Sequence, residues 1–201
     1  MLLEDNKKAI VIVAHPDDET IWAGGIIMKY PKVDWTIFSL CRASDKDRAP
    51  KFKKVCKFYG VKGIISDLDD EHNYPMKRII KEAKRIILSK INLANFNYVF
   101  THGENGEYGH PRHLAVNLSV KQILKNIENK PEAVFYFNYK KISKKEFSFL
   151  TFRKNSDLLL KLSNKEFNNK KKIISDIYGF DPKGIDIGYC TNPEAFKVKY
   201  L

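Results

Sequence analysis

The hydrophobic pattern of this chain switches between two periods. Short apolar runs rich in β-branched residues recur at about residues 8–14, 33–40, 62–66, 96–101 and 133–138. Apolar residues follow one another there without strict alternation, the pattern of strands covered on both faces. Between the runs the spacing lengthens to a helical one. Residues 19–30 carry Ile21, Trp22, Ile26 and Ile27 on roughly one side, and residues 48–59 do the same with Phe52, Val55, Cys56 and Tyr59. Residues 76–91 repeat the stripe with Ile79, Ile80, Ala83, Ile86 and Ile87, and residues 111–127 with Leu114, Leu118 and Ile123. Strands and helices taking turns predict right-handed crossovers, hence an α/β fold with a mostly parallel, doubly wound sheet and helices on both faces. Ligands in such sheets gather beyond the carboxyl ends of the strands, where the connections diverge.

After Tyr139 the pattern loosens. Lysine pairs at Lys140-Lys141 and Lys144-Lys145 precede an aromatic run from Phe147 to Phe152, a helix expected near 157–175 and a loop-like tail. There is no internal repeat and no low-complexity linker. A chain of 201 residues, 43% hydrophobic, buries a core of its own, so a single domain over 1–201 is expected, with a lysine-rich extension from about 140.

Composition adds limits. The net charge of +12 favours anionic partners, although the lysine runs at 140–145 and 170–172 read more readily as solvated faces. Cys41, Cys56 and Cys190 form an odd, widely spaced set without a Cys-x-x-Cys pair, which points to a reducing compartment, the cytoplasm, rather than a disulfide framework. No signal-peptide pattern opens the sequence and no apolar run approaches a membrane span. The glycine fingerprint of dinucleotide binding is missing after the first strand, where carboxylates stand instead.

Two loops carry the candidate chemistry. The first, His15-Pro16-Asp17-Asp18-Glu19, follows the apolar run 9–14. Acidic residues at a helix start complement its dipole, but capping needs neither three carboxylates nor a neighbouring histidine. The second loop runs from Thr101 to His113 and holds three of the five histidines, His102, His110 and His113. Pro111 suits a first helical position, which puts His110 at the cap and His113 one turn on, on the same side. If both loops share one sheet edge, His15, one carboxylate and His113 can converge on a divalent cation and leave a fourth position open, the arrangement of a catalytic site.

These two motifs, Ala14-His15-Pro16-Asp17-Asp18-Glu19 and Gly109-His110-Pro111-Arg112-His113, resemble those of the zinc-dependent N-acetylglucosaminyl-phosphatidylinositol de-N-acetylases, the PIG-L or LmbE-like family. The resemblance implies a Rossmann-like fold through about residue 140 and the removal of an acetyl group from an N-acetylated amino sugar or its conjugate. It implies Zn2+ as the cofactor, with Fe2+ as another cation such a site takes, held by His15, Asp18 and His113. Asp17 matches the carboxylate that accepts a proton from the attacking water and passes it to the leaving amine. His110 corresponds to the imidazolium that stabilises the oxyanion, and Tyr108 to a mobile tyrosine that assists it. Arg48 sits where members hold an arginine for sugar or phosphate groups.

Arg112 departs from the pattern, since many relatives have Asp there to charge the neighbouring histidine; a cation instead lowers the pKa of His110. Either another acid (Glu104, Glu107, Asp67, Asp69 or Asp70) takes over, or Arg112 turns outward to bind substrate. His102 is a further candidate, for substrate or for support of the metal. Two other readings stay open at this level: a metal-dependent amidase on a non-sugar acyl metabolite, and a basic polyanion-binding module, although no nucleic-acid motif is present. The partner expected is a small N-acetylated sugar or sugar conjugate, and the basic charge favours an anionic one.

Overall fold

In the computed structural model residues 3–145 and 148–201 are described; Phe147, at the head of the expected aromatic run, lies outside them. Five strands run parallel: β1 (Lys8–Val13), β2 (Asp34–Ser39), β3 (Lys62–Ile65), β4 (Tyr98–Thr101) and β5 (Ala133–Phe137). The helices between them are α1 (Asp18–Lys29), α2 (Arg48–Tyr59), α3 (Met76–Lys90), a single turn α4 (Gly106–Gly109) and α5 (Pro111–Asn126). Each strand matches an apolar run of the sequence and α1, α2, α3 and α5 match its stripes, whereas α4 falls within the segment read as the second loop.

The period of two along β1 sends its side chains to both layers. Ala9, Val11 and Val13 pack with Trp22 and Ile26 of α1 and Phe52 and Val55 of α2. Ile10, Ile12 and Ala14 pack with Ile79 and Ile86 of α3 and Val116 and Val120 of α5. In the sheet order β3-β2-β1-β4-β5, the connections leaving β1 and β4 therefore depart to opposite faces from adjacent strand ends. That switch point is where the two motif loops meet.

The carboxyl-terminal third differs from expectation. It supplies β6 (Tyr139–Lys141) and β7 (Leu150–Phe152), a small antiparallel pair, then β8 (Leu158–Leu160), α6 (Asn164–Lys172), a wide helical turn over Ile173–Ile177, α7 (Ile185–Tyr189) and β9 (Glu194–Tyr200). The tail read as loop-like is the strand β9, antiparallel to β5 on one side and to β8 on the other, completing a seven-stranded sheet. The helix expected near 157–175 begins only at Asn164. Leu158–Leu160 gain ladder hydrogen bonds from β9 instead, and Ser163 with Glu166 forms a capping box that starts the helix.

A buried ion pair ties this region to α1. Glu194 accepts from Lys170 Nζ at 2.7 Å, from the Gly25 N–H at 2.6 Å and from the Ile26 N–H at 2.9 Å, with neither charged residue exposed. Gly25 is required by this approach: a Cβ there would run into the Leu162 side chain and the Glu194 carboxyl. Among the described residues no helix is long and apolar enough to cross a membrane.

Candidate metal centre and cleft

The loop after β1 turns sharply into α1. Asp17 takes a positive φ of 128°, held by its N–H donating to Glu19 Oε2 at 3.0 Å. Glu19 is fully buried and also accepts from the Thr20 and Tyr178 hydroxyls, each at 2.8 Å. Burial pushes its carboxyl up to about 7. Glu19 therefore shapes the loop and does not line the cleft.

Three ligand atoms from the two loops stand together. His15 Nδ1 and Asp18 Oδ2 are 3.2 Å apart, His113 Nε2 and Asp18 Oδ2 3.3 Å, and His113 Nε2 and His15 Nδ1 3.4 Å. The edge of a tetrahedron whose ligands lie about 2.0–2.1 Å from a central Zn2+ is about 3.3–3.4 Å, so the triangle has the size of three corners of such a site. The other ring nitrogen of each histidine faces a carboxylate: His15 Nε2 meets Asp70 at 2.9 Å and His113 Nδ1 meets Glu107 at 2.7 Å. With the protons on those outer nitrogens, the inner ones present bare lone pairs to each other and to Asp18, an arrangement that a cation satisfies. Asp18 is oriented by Trp22 Nε1, which donates to its Oδ1 at 2.9 Å.

Glu107 organises the second loop. It is buried, with φ 57°, and its Oε2 faces His102 Nδ1 at 2.8 Å as well as His113, while Oε1 accepts the Gly103 N–H at 2.7 Å. Burial raises its pKa, but His102 and His113 outweigh this and hold the carboxyl below its usual range, so the acceptor is ionised. Gly103 permits the turn, since a Cβ there would strike the Phe137 carbonyl.

Asp17 lines the cleft, 3.3 Å from Arg48 NH1. Burial and the adjacent Asp18 push its carboxyl well above the usual range; a cation on Asp18 opposes that shift. His110 caps α5, its Nδ1 accepting the Arg112 N–H at 3.2 Å, which leaves Nε2 as the protonated nitrogen on the cleft side. Burial, with the His113 and His15 rings beside it, pushes His110 down to about 3, a shift away from the imidazolium expected of it. Tyr108 borders the same space and stacks on Tyr189, ring centroids 5.0 Å apart. The cleft holds about 440 Å³, within the range of small-molecule sites.

Two expected substrate contacts do not reach the cleft. His102 is fully buried behind the triad: Nδ1 faces Glu107 and Nε2 accepts the Ala14 N–H at 3.0 Å. Burial lowers its pKa, but Glu107 and Asp18 more than offset this and pull it up to about 9; the Ala14 N–H nonetheless requires a bare Nε2, and a cation on Asp18 would weaken the pull. Arg112 is buried and turned away from His110, donating Nε to the Asp69 carbonyl at 2.6 Å and NH2 to the His72 carbonyl at 2.7 Å. It fastens the loop that carries Asp70. Of the acids considered as partners for His110, Asp70 holds His15, Glu107 holds His113 and Asp69 holds His72, while Asp67 accepts the Ser44 N–H. Sequence reading missed Asp186 and Tyr189, which line the cleft from α7 and carry no local signal.

A His/Asp cluster that could hold a metal ion stands at the switch point of a mostly parallel, doubly wound α/β sheet. Residues 10–124, more than half of the chain, match the family of GlcNAc-PI de-N-acetylases, PIG-L, and the chain belongs to that family. A probable N-acetylglucosaminyl-phosphatidylinositol de-N-acetylase of Dictyostelium discoideum is 28% identical over 138 residues, covering 61% of this chain and 54% of that protein. The chain spans about half the length of the curated relatives it matches. The N,N'-diacetylchitobiose deacetylase of Pyrococcus horikoshii superposes with a TM-score of 0.67 at 16% identity, covering 98% of this chain and 85% of that one. A 4-carboxy-2-hydroxymuconate hydratase from Pseudomonas putida shares the fold as well, with a TM-score of 0.59 at 17% identity over 91% of this chain and 82% of its own.

Proposed function

We propose that this chain is a metal-dependent amide hydrolase that removes the acetyl group from an N-acetylated amino sugar or its conjugate. The observation that carries the reading is the triangle of His15 Nδ1, Asp18 Oδ2 and His113 Nε2, set beside the Asp17 carboxylate in a cleft of sugar size. The family description and the printed names of the Dictyostelium protein, a probable de-N-acetylase, and of the Pyrococcus deacetylase support it. Two imidazoles and one carboxylate suit Zn2+, and the same set takes Fe2+.

Bound there, a divalent cation would acidify water and polarise the acyl carbonyl. Asp17 accepts the proton of the attacking water and returns it to the departing nitrogen, with Arg48 holding the carboxylate in place. His110 donates its Nε2–H to the oxygen that gains charge as the carbonyl carbon becomes tetrahedral. Tyr108, whose hydroxyl burial keeps protonated, offers a second donor on the same side. Asp70 and Glu107 keep the two histidines in the tautomers that leave His15 Nδ1 and His113 Nε2 free to bind. The three buried free cysteines fit a reducing compartment, so we place the protein in the cytoplasm.

The test is acetate release from N-acetylglucosamine conjugates beside a panel of simple acyl amines. Chelation should abolish release and Zn2+ restore it. Asp17→Asn should keep the metal and lose at least about 100-fold in rate. Full activity in that variant removes Asp17 from its role, and faster turnover of the non-sugar amides removes the sugar.

A further inference from the structure

Asp17 carries a strained backbone. Its φ of 128° and ψ of −35° are kept by an L-residue only where the surroundings over-determine them. The restraint comes from behind the cleft, where Glu19 Oε2 accepts the Asp17 N–H at 3.0 Å. Glu19 is oriented in turn by two hydroxyls that donate to its Oε1, those of Thr20 and Tyr178, each at 2.8 Å. Asp17, Glu19 and Thr20 share one turn of chain, so of these groups only the buried Tyr178 fixes the carboxylate to the body of the fold.

Tyr178 arrives from the carboxyl-terminal third, outside residues 10–124 that match the family. It ends the wide helical turn over Ile173–Ile177, with its N–H on the Ile173 carbonyl at 3.1 Å. Gly179 follows at φ 78°, a left-handed conformation that glycine takes without steric cost, and Phe180 closes the turn with its N–H on the Ile174 carbonyl at 3.2 Å. The Phe180 ring lies 4.3 Å from the Arg48 guanidinium, whose NH1 is 3.3 Å from Asp17 Oδ2. One turn therefore reaches both ends of Asp17, the backbone through Glu19 and the carboxylate through Arg48.

We propose that Tyr178 is a positioning residue for Asp17, acting through Glu19 to hold the backbone that aims the carboxylate into the cleft, with Phe180 steadying the same carboxylate through Arg48. The proposal rests on the deacetylase reading for the use made of Asp17. Loss of the Tyr178 hydroxyl frees one corner of the Glu19 carboxylate, and the strained backbone relaxes. A displacement of about 1 Å at a reacting group costs up to about 100-fold in rate. The metal ligands are held by other groups, Asp18 by Trp22, His15 by Asp70 and His113 by Glu107, so metal binding is spared.

The test compares the full, Zn2+-loaded chain with Tyr178→Phe, which keeps the ring and removes only the hydroxyl. Tyr139→Phe is the control, since it removes another buried hydroxyl, the acceptor of the Ala195 N–H. Amide hydrogen exchange followed by NMR should show the Asp17 N–H exchanging at least about tenfold faster in Tyr178→Phe and not in Tyr139→Phe, with the amides of β1 and β4 as the gauge of overall stability. For acetate release from N,N'-diacetylchitobiose, kcat should fall at least about tenfold in Tyr178→Phe while KM and Zn2+ affinity stay within about threefold. Phe180→Leu should lower kcat about threefold or more and leave the Asp17 N–H as it was. Unchanged Asp17 exchange, equal acceleration in the control, or an unaltered kcat despite faster exchange overturns the role of Tyr178, and an unaltered kcat in Phe180→Leu overturns that of Phe180. If the unmutated protein releases no acetate, the hydrolase reading fails, and the exchange measurement by itself still decides whether Tyr178 holds Asp17.

Discussion

Glu107→Gln separates a tautomer from a charge. In the structure one carboxylate oxygen meets the Nδ1 atoms of both His102 and His113, at 2.8 and 2.7 Å, and the other accepts the Gly103 N–H at 2.7 Å. Glutamine has one acceptor oxygen. If it serves Gly103, an NH2 group faces two ring N–H groups, and His113 relieves the clash by moving its proton to Nε2, the atom that points at Asp18 and His15. Metal binding then has to reverse that shift, so affinity should fall by about 10–100-fold, the usual effect of losing such a supporting partner, or about 1.4–2.7 kcal/mol. The metal-free protein also loses hydrogen bonds to a buried charge, at about 1.5–3 kcal/mol each. A net loss of about 3 kcal/mol lowers Tm by about 6–12 °C for a chain of this size. The assays are Zn2+ titration against a chelator of known affinity and thermal unfolding with and without metal. The expected signature is a lower Tm together with a smaller gain on adding metal. An unchanged Zn2+ affinity would refute the claim that Glu107 sets the His113 tautomer, whatever the change in Tm.

Further substitutions probe the supports around the site. Arg112→Ala should cost about 2–4 kcal/mol by leaving the Asp69 and His72 carbonyls without their donor, and should weaken metal binding less than Glu107→Gln does. Arg112→Lys should recover under half of the stability, because one ammonium does not reproduce the guanidinium fork; denaturant titration measures both. Lys170→Met strands the Glu194 carboxylate in the core and should cost about 3 kcal/mol or more, whereas adding Glu194→Gln should return part of it, read from the urea midpoints. Gly25→Ala sets a helix-propensity gain of about 1 kcal/mol against overpacking of about 1–3 kcal/mol. Leu162 and the pinned Glu194 cannot both give way, so the variant should be less stable in the same assay.

The parallel half of the sheet was readable because its strands are continuous apolar runs and its helices carry apolar stripes, both local signals. β9 was not, since Glu194 to Tyr200 mixes charge with apolar residues and its most buried charge, Glu194, is satisfied by Lys170 and by α1, groups remote in sequence. β8 hid inside a segment of helical composition, although the Ser163–Glu166 capping box marked where that helix begins. In the site, the residues drawn together by two short motifs were legible as candidates. Asp70 stood in a run of acids where nothing local distinguishes it, and its pairing with His15 depends on the register of β3 and on Arg112. Arg112 itself was misread because spacing shows that it is near His110, not that its side chain turns to the opposite loop.

The sheet order also dictates when each part of the site can exist during folding. The triad belongs to the loops after β1 and β4 and its supports Asp70 and Glu107 to the loops after β3 and β4, strands that associate through parallel pairing within the first half of the sheet. Among the described residues β8 pairs only with β9, so its place in the sheet depends on β9 pairing with β5, and α7, with Asp186 and Tyr189, lies between those two strands in the chain. Closing that long loop is entropically the later event. The pairing of β1 with β4 that brings the two motif loops together therefore needs only the first half of the sheet, whereas the α7 wall of the cleft needs the last strand.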